Sequence, residues 1–187
     1  MFTKKIFLVI LVMLIISAPI TIFVVKKVEQ TKATKQLMDL KNQINNFIDA
    51  VDSYVTEIKK LKEAASKTPR YGLSEFVTRM VEVQSKFEAL ELPCPELKTF
   101  KDLTGFYISS VIDGFTNFMA AGTSNISPSE AKKYEIASAL QIYLFDLGYE
   151  TYITTRDGLK DFIASSNDKT VEAFRKNLGA KFNWSKD

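Results

Sequence analysis

Residues 37–65, LMDLKNQINNFIDAVDSYVTEIKKLKEAA, set apolar side chains at Leu37, Leu40, Ile44, Phe47, Val51, Tyr54, Ile58, Leu61 and Ala65. Steps of three and four alternate along the whole stretch, the repeat of a helix that buries one stripe. Ile48 and Val55 widen the stripe beyond a two-stranded coiled-coil seam, so the expected setting is a helical bundle.

Reading toward the C-terminus, Thr68-Pro69-Arg70-Tyr71-Gly72 breaks this helix, because proline lacks an amide donor and glycine permits the return. Ser74 is the expected cap of a second helix with Phe76, Val77, Met80, Val83 and Phe87 on its apolar face. That helix must stop at Pro93-Cys94-Pro95, and Pro95 suits the first turn of a third. Leu97, Phe100, Thr104, Tyr107, Ile108, Val111, Phe115 and Phe118 line one side of it, and Gly122 ends it. Ser127-Pro128-Ser129-Glu130 is a capping box that opens a fourth helix. Arg156-Asp157-Gly158 is expected to kink or end that helix, and Asn167-Asp168 to cap a short fifth through Val171, Phe174 and Leu178. No stretch alternates with period two, so strands are not expected.

Reading toward the N-terminus, residues 6–25, IFLVILVMLIISAPITIFVV, carry no charge and are bracketed by Lys4-Lys5 and Lys26-Lys27. At about 1.5 Å per helical residue such a run reaches roughly 30 Å, the thickness of a bilayer core. It reads as a single-pass signal anchor in contact with membrane lipid. A cleaved signal peptide is the alternative, opposed by the length of the run and by Ile16 and Pro19 around the small pair Ser17-Ala18. The lysines on both flanks compete in setting orientation; the body is expected outside the cytoplasm. The full expectation is all-α: a transmembrane anchor over 1–27, a helical stalk over 28–36, and over 37–187 an antiparallel four-helix bundle with a short extra C-terminal helix.

The chain has 25 Lys and Arg against 22 Asp and Glu, and residues 1–27 hold four of the basic residues and no acidic one. The remaining 160 residues therefore carry 21 against 22, a net charge of −1, which leaves no electrostatic footprint for nucleic acid. No histidine is present, so serine and cysteine triads, di-iron Glu-x-x-His sites and His-Glu-x-x-His zinc sites cannot be assembled. Cys94, alone and between prolines, reads as a packed residue rather than a nucleophile. Glu88, Glu91 and Glu96 stand near Lys86 and Lys98 and read as a solvated face. No cofactor, metal or enzymatic activity is expected.

The fourth helix is unusual in carrying two apolar stripes where one core needs only one. Leu140, Tyr143, Leu144 and Leu147 form the first; Ile142, Phe145, Tyr149 and Tyr152 form the second. The second, within a run of aromatics that begins at Phe100, is the candidate contact for a partner or ligand. Core packing is its competing reading.

The layout, with a proline-opened third helix at the PCPEL turn of residues 93–97, resembles small uncharacterised bacterial proteins in which an anchor precedes a helical bundle. That resemblance covers residues 28–187 in outline and implies no activity. The chain also resembles the periplasmic half of chemoreceptor-type sensors, which need a second membrane span that nothing after residue 25 supplies. Two functions follow as expectations: a membrane-tethered interaction scaffold that holds a protein partner or a second copy of itself, or an extracytoplasmic sensor of a small apolar molecule or peptide that signals through a partner.

Overall fold

A computed structural model describes the backbone of residues 2–182 and the side chains of residues 25–182. Among the described residues the chain is all-helical, with α1 at Phe2–Ala65, α2 at Leu73–Glu88, α3 at Lys98–Ala120, α4 at Pro128–Ser165 and α5 at Val171–Phe182. Arg70–Gly72 and Pro95–Leu97 form short 3-10 turns. The expected helical bundle is present.

Its core begins at Leu37. Leu37, Ile44, Phe47, Ile48, Val51, Val55, Ile58, Leu61 and Ala65 of α1 are all buried, while Leu40 and Tyr54 flank them. The stripe read in the sequence is the buried one. Helical residues ahead of it, from Val25 to Gln36, are almost all exposed.

Successive helices pack antiparallel. On α2 and α3, Phe87 meets Gly105 and Gln84 donates to Ser109 Oγ at 2.9 Å. On α3 and α4, Phe100 stacks on Tyr152 with ring centroids 5.8 Å apart, Tyr107 lies against Gly148, and Gly114 lies against Ile142. On α1 and α4, Asp49 meets Lys160, Asp52 meets Arg156, and Lys62 meets Asp146. α5 closes the end near Cys94, burying Phe174 and Leu178 and pairing Arg175 with Glu96.

Three local expectations are corrected. Ser74 does not cap α2: the helix begins at Leu73 after Gly72, with no side-chain cap, because the preceding 3-10 turn already supplies the entry. α4 neither kinks nor ends at Arg156-Asp157-Gly158 but runs to Ser165, since Arg156 is tied to Asp52 and Leu159 and Ile163 continue the buried stripe. The fifth helix is capped by Thr170, whose Oγ1 accepts from the Ala173 amide at 3.2 Å, while Asp168 accepts from Ser166 and Asn177. The capping box stands as read, with the Ser127 amide donating to Glu130 Oε2 at 2.9 Å and Ser127 Oγ accepting from the Glu130 amide at 3.3 Å.

The expected membrane localisation is also corrected. Among the described residues no helix is long and apolar enough to cross a membrane. That overturns the single-pass assignment with an extracytoplasmic body, and the transmembrane anchor and lipid contact have no support. The described flank of α1 carries Lys26, Lys27, Glu29, Lys32 and Lys35, a density of charge that hydrocarbon does not accept. The side chains of residues 6–24, on which the expectation rested, lie outside the described residues.

Close approach of α3 and α4 depends on two glycines. A Cβ at Gly148 would lie 2.1 Å from the Tyr107 ring, and one at Gly114 would lie 2.8 Å from Ile142. At Gly179 on α5 the nearest neighbour would be the Glu96 side chain at 3.4 Å. Alanine is worth up to about 1 kcal/mol over glycine inside a helix. Gly179→Ala is therefore expected to raise the urea midpoint, whereas Gly148→Ala, forced to displace a packed ring, is expected to lose about 1–3 kcal/mol.

Candidate interaction face

Structure divides the two stripes of α4 in the opposite sense from the expectation. Phe145 and Tyr152 are 2% and 3% exposed, and Ile142 and Tyr149 are partly buried against the same core. The candidate contact residues Ile142, Phe145, Tyr149 and Tyr152 are thus brought together, but as an inward face. The competing reading of core packing describes them. Ile136, Leu140, Tyr143 and Leu147 are 61%, 57%, 61% and 55% exposed and form an apolar line on the outer face. Leu144 lies beside them, half-buried. Phe106, next in the chain to the Tyr107 that seats on Gly148, exposes a further ring at this level of α3.

α1 supplies polar partners to the stripe that turns inward. Asp52 Oδ1 accepts from the Tyr152 hydroxyl at 3.1 Å and from Arg156 Nη1 at 2.5 Å. Lys160 donates to Asp49 at 2.7 Å, and the Lys59 ammonium sits 4.1 Å from the centre of the Tyr149 ring. Lys62 pairs with Asp146. Burial, then the charge of Asp52 and the hydrogen bond to it, raise the Tyr152 phenol and keep it protonated. These contacts run from Asp146 to Lys160 along one side of α4 and hold that part of its second stripe against the core.

A signal in the sequence separates the stripes. The inward one continues past Tyr152 through Leu159 and Ile163, as a core stripe must. The outer one stops at Leu147, and the same face goes on with Glu150, Thr154, Asp157 and Asp161. Over the middle of the helix alone the two are equally apolar.

A second feature is a cleft of about 540 Å³ between the end of α1, α3 and the start of α4, lined by Ala65, Arg70, Phe115, Phe118, Ser138 and Ile142 among others. The Arg70 guanidinium lies over the Phe118 ring at 4.3 Å and meets Glu135 at 3.3 Å. Ser138 is buried along this wall.

The ionisable groups have structural partners. Burial, followed by the charge of Glu96, pushes the Cys94 thiol up to about 12, so almost none of it is thiolate at neutral pH. Glu96 does not lie on a solvated face as expected: Arg175 Nε donates to both of its carboxylate oxygens at 3.0 Å. Burial acts to raise the Glu96 carboxyl, and the Arg175 guanidinium, the Glu96 amide and the Cys94 thiol together outweigh it and hold it below the ordinary range. Among the described residues no group of three His, Cys, Asp or Glu could hold a metal ion. No family model matches the chain, and no curated protein or solved structure matches it.

A carboxyl with a lowered folded-state pKa contributes stability above its unfolded value, near 4.3, and loses it as pH falls through the folded one. Glu96→Gln is expected to cost about 1 kcal/mol near pH 7. In chemical denaturation the gap between variant and native chain should close on acidification below pH 4; a gap independent of pH would show that the carboxylate charge has no part in it.

Proposed function

We propose that this chain is a non-catalytic helical-bundle interaction module that docks another polypeptide on the outer face of α4. The observation that supports this most directly is the line Ile136, Leu140, Tyr143 and Leu147, four large apolar side chains in helical register and each more than half exposed. Scattered exposed apolar residues need no explanation, whereas a contiguous patch of them marks a contact surface. At roughly 100 Å² apiece, the four amount to about 400 Å², within the size range of a monomer's largest and often functional patch. The chemistry of the chain supports a non-catalytic role: it lacks histidine, Cys94 is held as a thiol, and Asp49, Asp52, Glu96 and Asp146 are engaged by lysine or arginine.

A second reading rests on the cleft beside Ser138. Its volume and apolar wall suit a small apolar molecule, with a hydroxyl to orient it. On that reading Ala139→Phe, which fills the cleft mouth, should release a molecule that co-purifies with the native chain.

The docking reading is tested by Leu140→Gln with Tyr143→Gln, which keep good helix formers at exposed positions. Helical circular dichroism and the unfolding free energy should stay within about 0.5 kcal/mol of the native chain. A photo-cross-linking residue at position 140 should give a polypeptide adduct in cells, and the same residue at the exposed position 79 of α2 should not. Unfolding caused by the glutamine pair, or no adduct at position 140, would contradict the docking reading.

A further inference from the structure

We propose that the occupant of the α4 face is a second copy of this chain, its α4 running antiparallel about a two-fold axis that passes between Gln141 and Ile142. The inference rests on the docking reading and supplies its partner.

The face is self-complementary. Along it stand Lys133, Ile136, Leu140, Tyr143, Leu147 and Glu150, spaced 3, 4, 3, 4 and 3, a pattern that reads the same in both directions. An isologous interface demands that each position meet its mirror position on the other copy. Antiparallel pairing sets Ile136 against Leu147 and Leu140 against Tyr143, then repeats both contacts on the other side of the axis. The ends decide the direction. Lys133 falls opposite Glu150 of the second copy, and Glu150 opposite its Lys133, so both ends close on opposite charges. Parallel pairing would stack lysine on lysine and glutamate on glutamate. Lys133 and Glu150 are exposed, and neither joins an ion pair among the described residues.

The flanks permit close approach. Ala137 and Ala139 border the line, and the flanking Asp146 is drawn toward α1 by Lys62. With a net charge of −1 over residues 28–187, two bodies repel each other little. Doubling the roughly 400 Å² of the four α4 side chains gives about 800 Å² of buried surface, the size of a weak or transient pairing. The pairing is accordingly of modest affinity and sensitive to its end charges.

The test uses the full chain with site-specific readouts, because the apolar stretch 6–25 could associate on its own. In a Cys94→Ser background, chains carrying Lys133→Cys and chains carrying Glu150→Cys, distinguished by tag length, are mixed and oxidised. Antiparallel pairing gives covalent dimers of one chain of each kind; dimers of like chains, or none, overturn the proposal. With the photo-cross-linker at position 140, the self-adduct should need about tenfold more protein after Lys133→Glu and recover when Glu150→Lys is added. An adduct at position 140 to a different polypeptide, without the self-adduct, overturns the second copy while leaving the docking module intact. No adduct of either kind removes both.

Discussion

Contact of α3 with α4 at nearly backbone distance is the constraint on which the rest of the bundle depends. Gly148 gives the Tyr107 ring a seat and Gly114 admits Ile142, so the two helices approach more closely than Cβ atoms at those positions would allow. Closeness there lets Phe145 and Tyr152 reach the common core from α4 and places Tyr152 on Phe100. A helix offset by the thickness of a methyl group would leave those rings short of their neighbours, and dispersion falls steeply with such a gap.

Lateral position does not fix rotation, and α4 has apolar residues enough to face the core two ways. Leu159 and Ile163 favour one of them, and the ladder from α1 reinforces it. Asp49, Asp52, Lys59 and Lys62 meet Lys160, Arg156, Tyr149 and Asp146 in antiparallel order. Taken singly, such partly exposed pairs contribute at most about 1 kcal/mol. Their weight lies in what the alternative would cost. Turning the outer stripe inward would separate every rung at once and strip Asp52 of both the Tyr152 hydroxyl and Arg156. The polar contacts reinforce an orientation that Leu159 and Ile163 already favour by burial, and they act where the two stripes are equally apolar.

Much of this was legible in the sequence where one rule acted alone. The α1 stripe, the proline breaks at residues 69 and 93–95 and the Ser127 box are local patterns, and each sits where its residues dictate. Where two rules compete the sequence is less transparent. Gly158 read as a break, but inside α4 its cost of about 1 kcal/mol is offset by Leu159 and Ile163 in the core and by Arg156 on Asp52. Ser74 read as a cap because nothing local reveals that a 3-10 turn precedes it. Glu96 read as solvated because its partner, Arg175, stands 79 residues away. The facing of the α4 stripes belongs to the same class, except that the full length of the helix does distinguish them.

That length also bears on what the outer stripe is. A core stripe runs from one end of a helix to the other, and a solvated face is polar throughout; the line from Ile136 to Leu147 is neither. It occupies about 16 Å of a much longer helix and ends at Lys133 on one side and Glu150 on the other. An apolar centre bounded by charge is the anatomy of an interface, in which the middle is desolvated and the rim stays wet. Because the same helix already satisfies the bundle with its other face, these side chains are free of any folding requirement. On the docking reading, their composition at the edges, as much as at the centre, answers to a partner rather than to the fold.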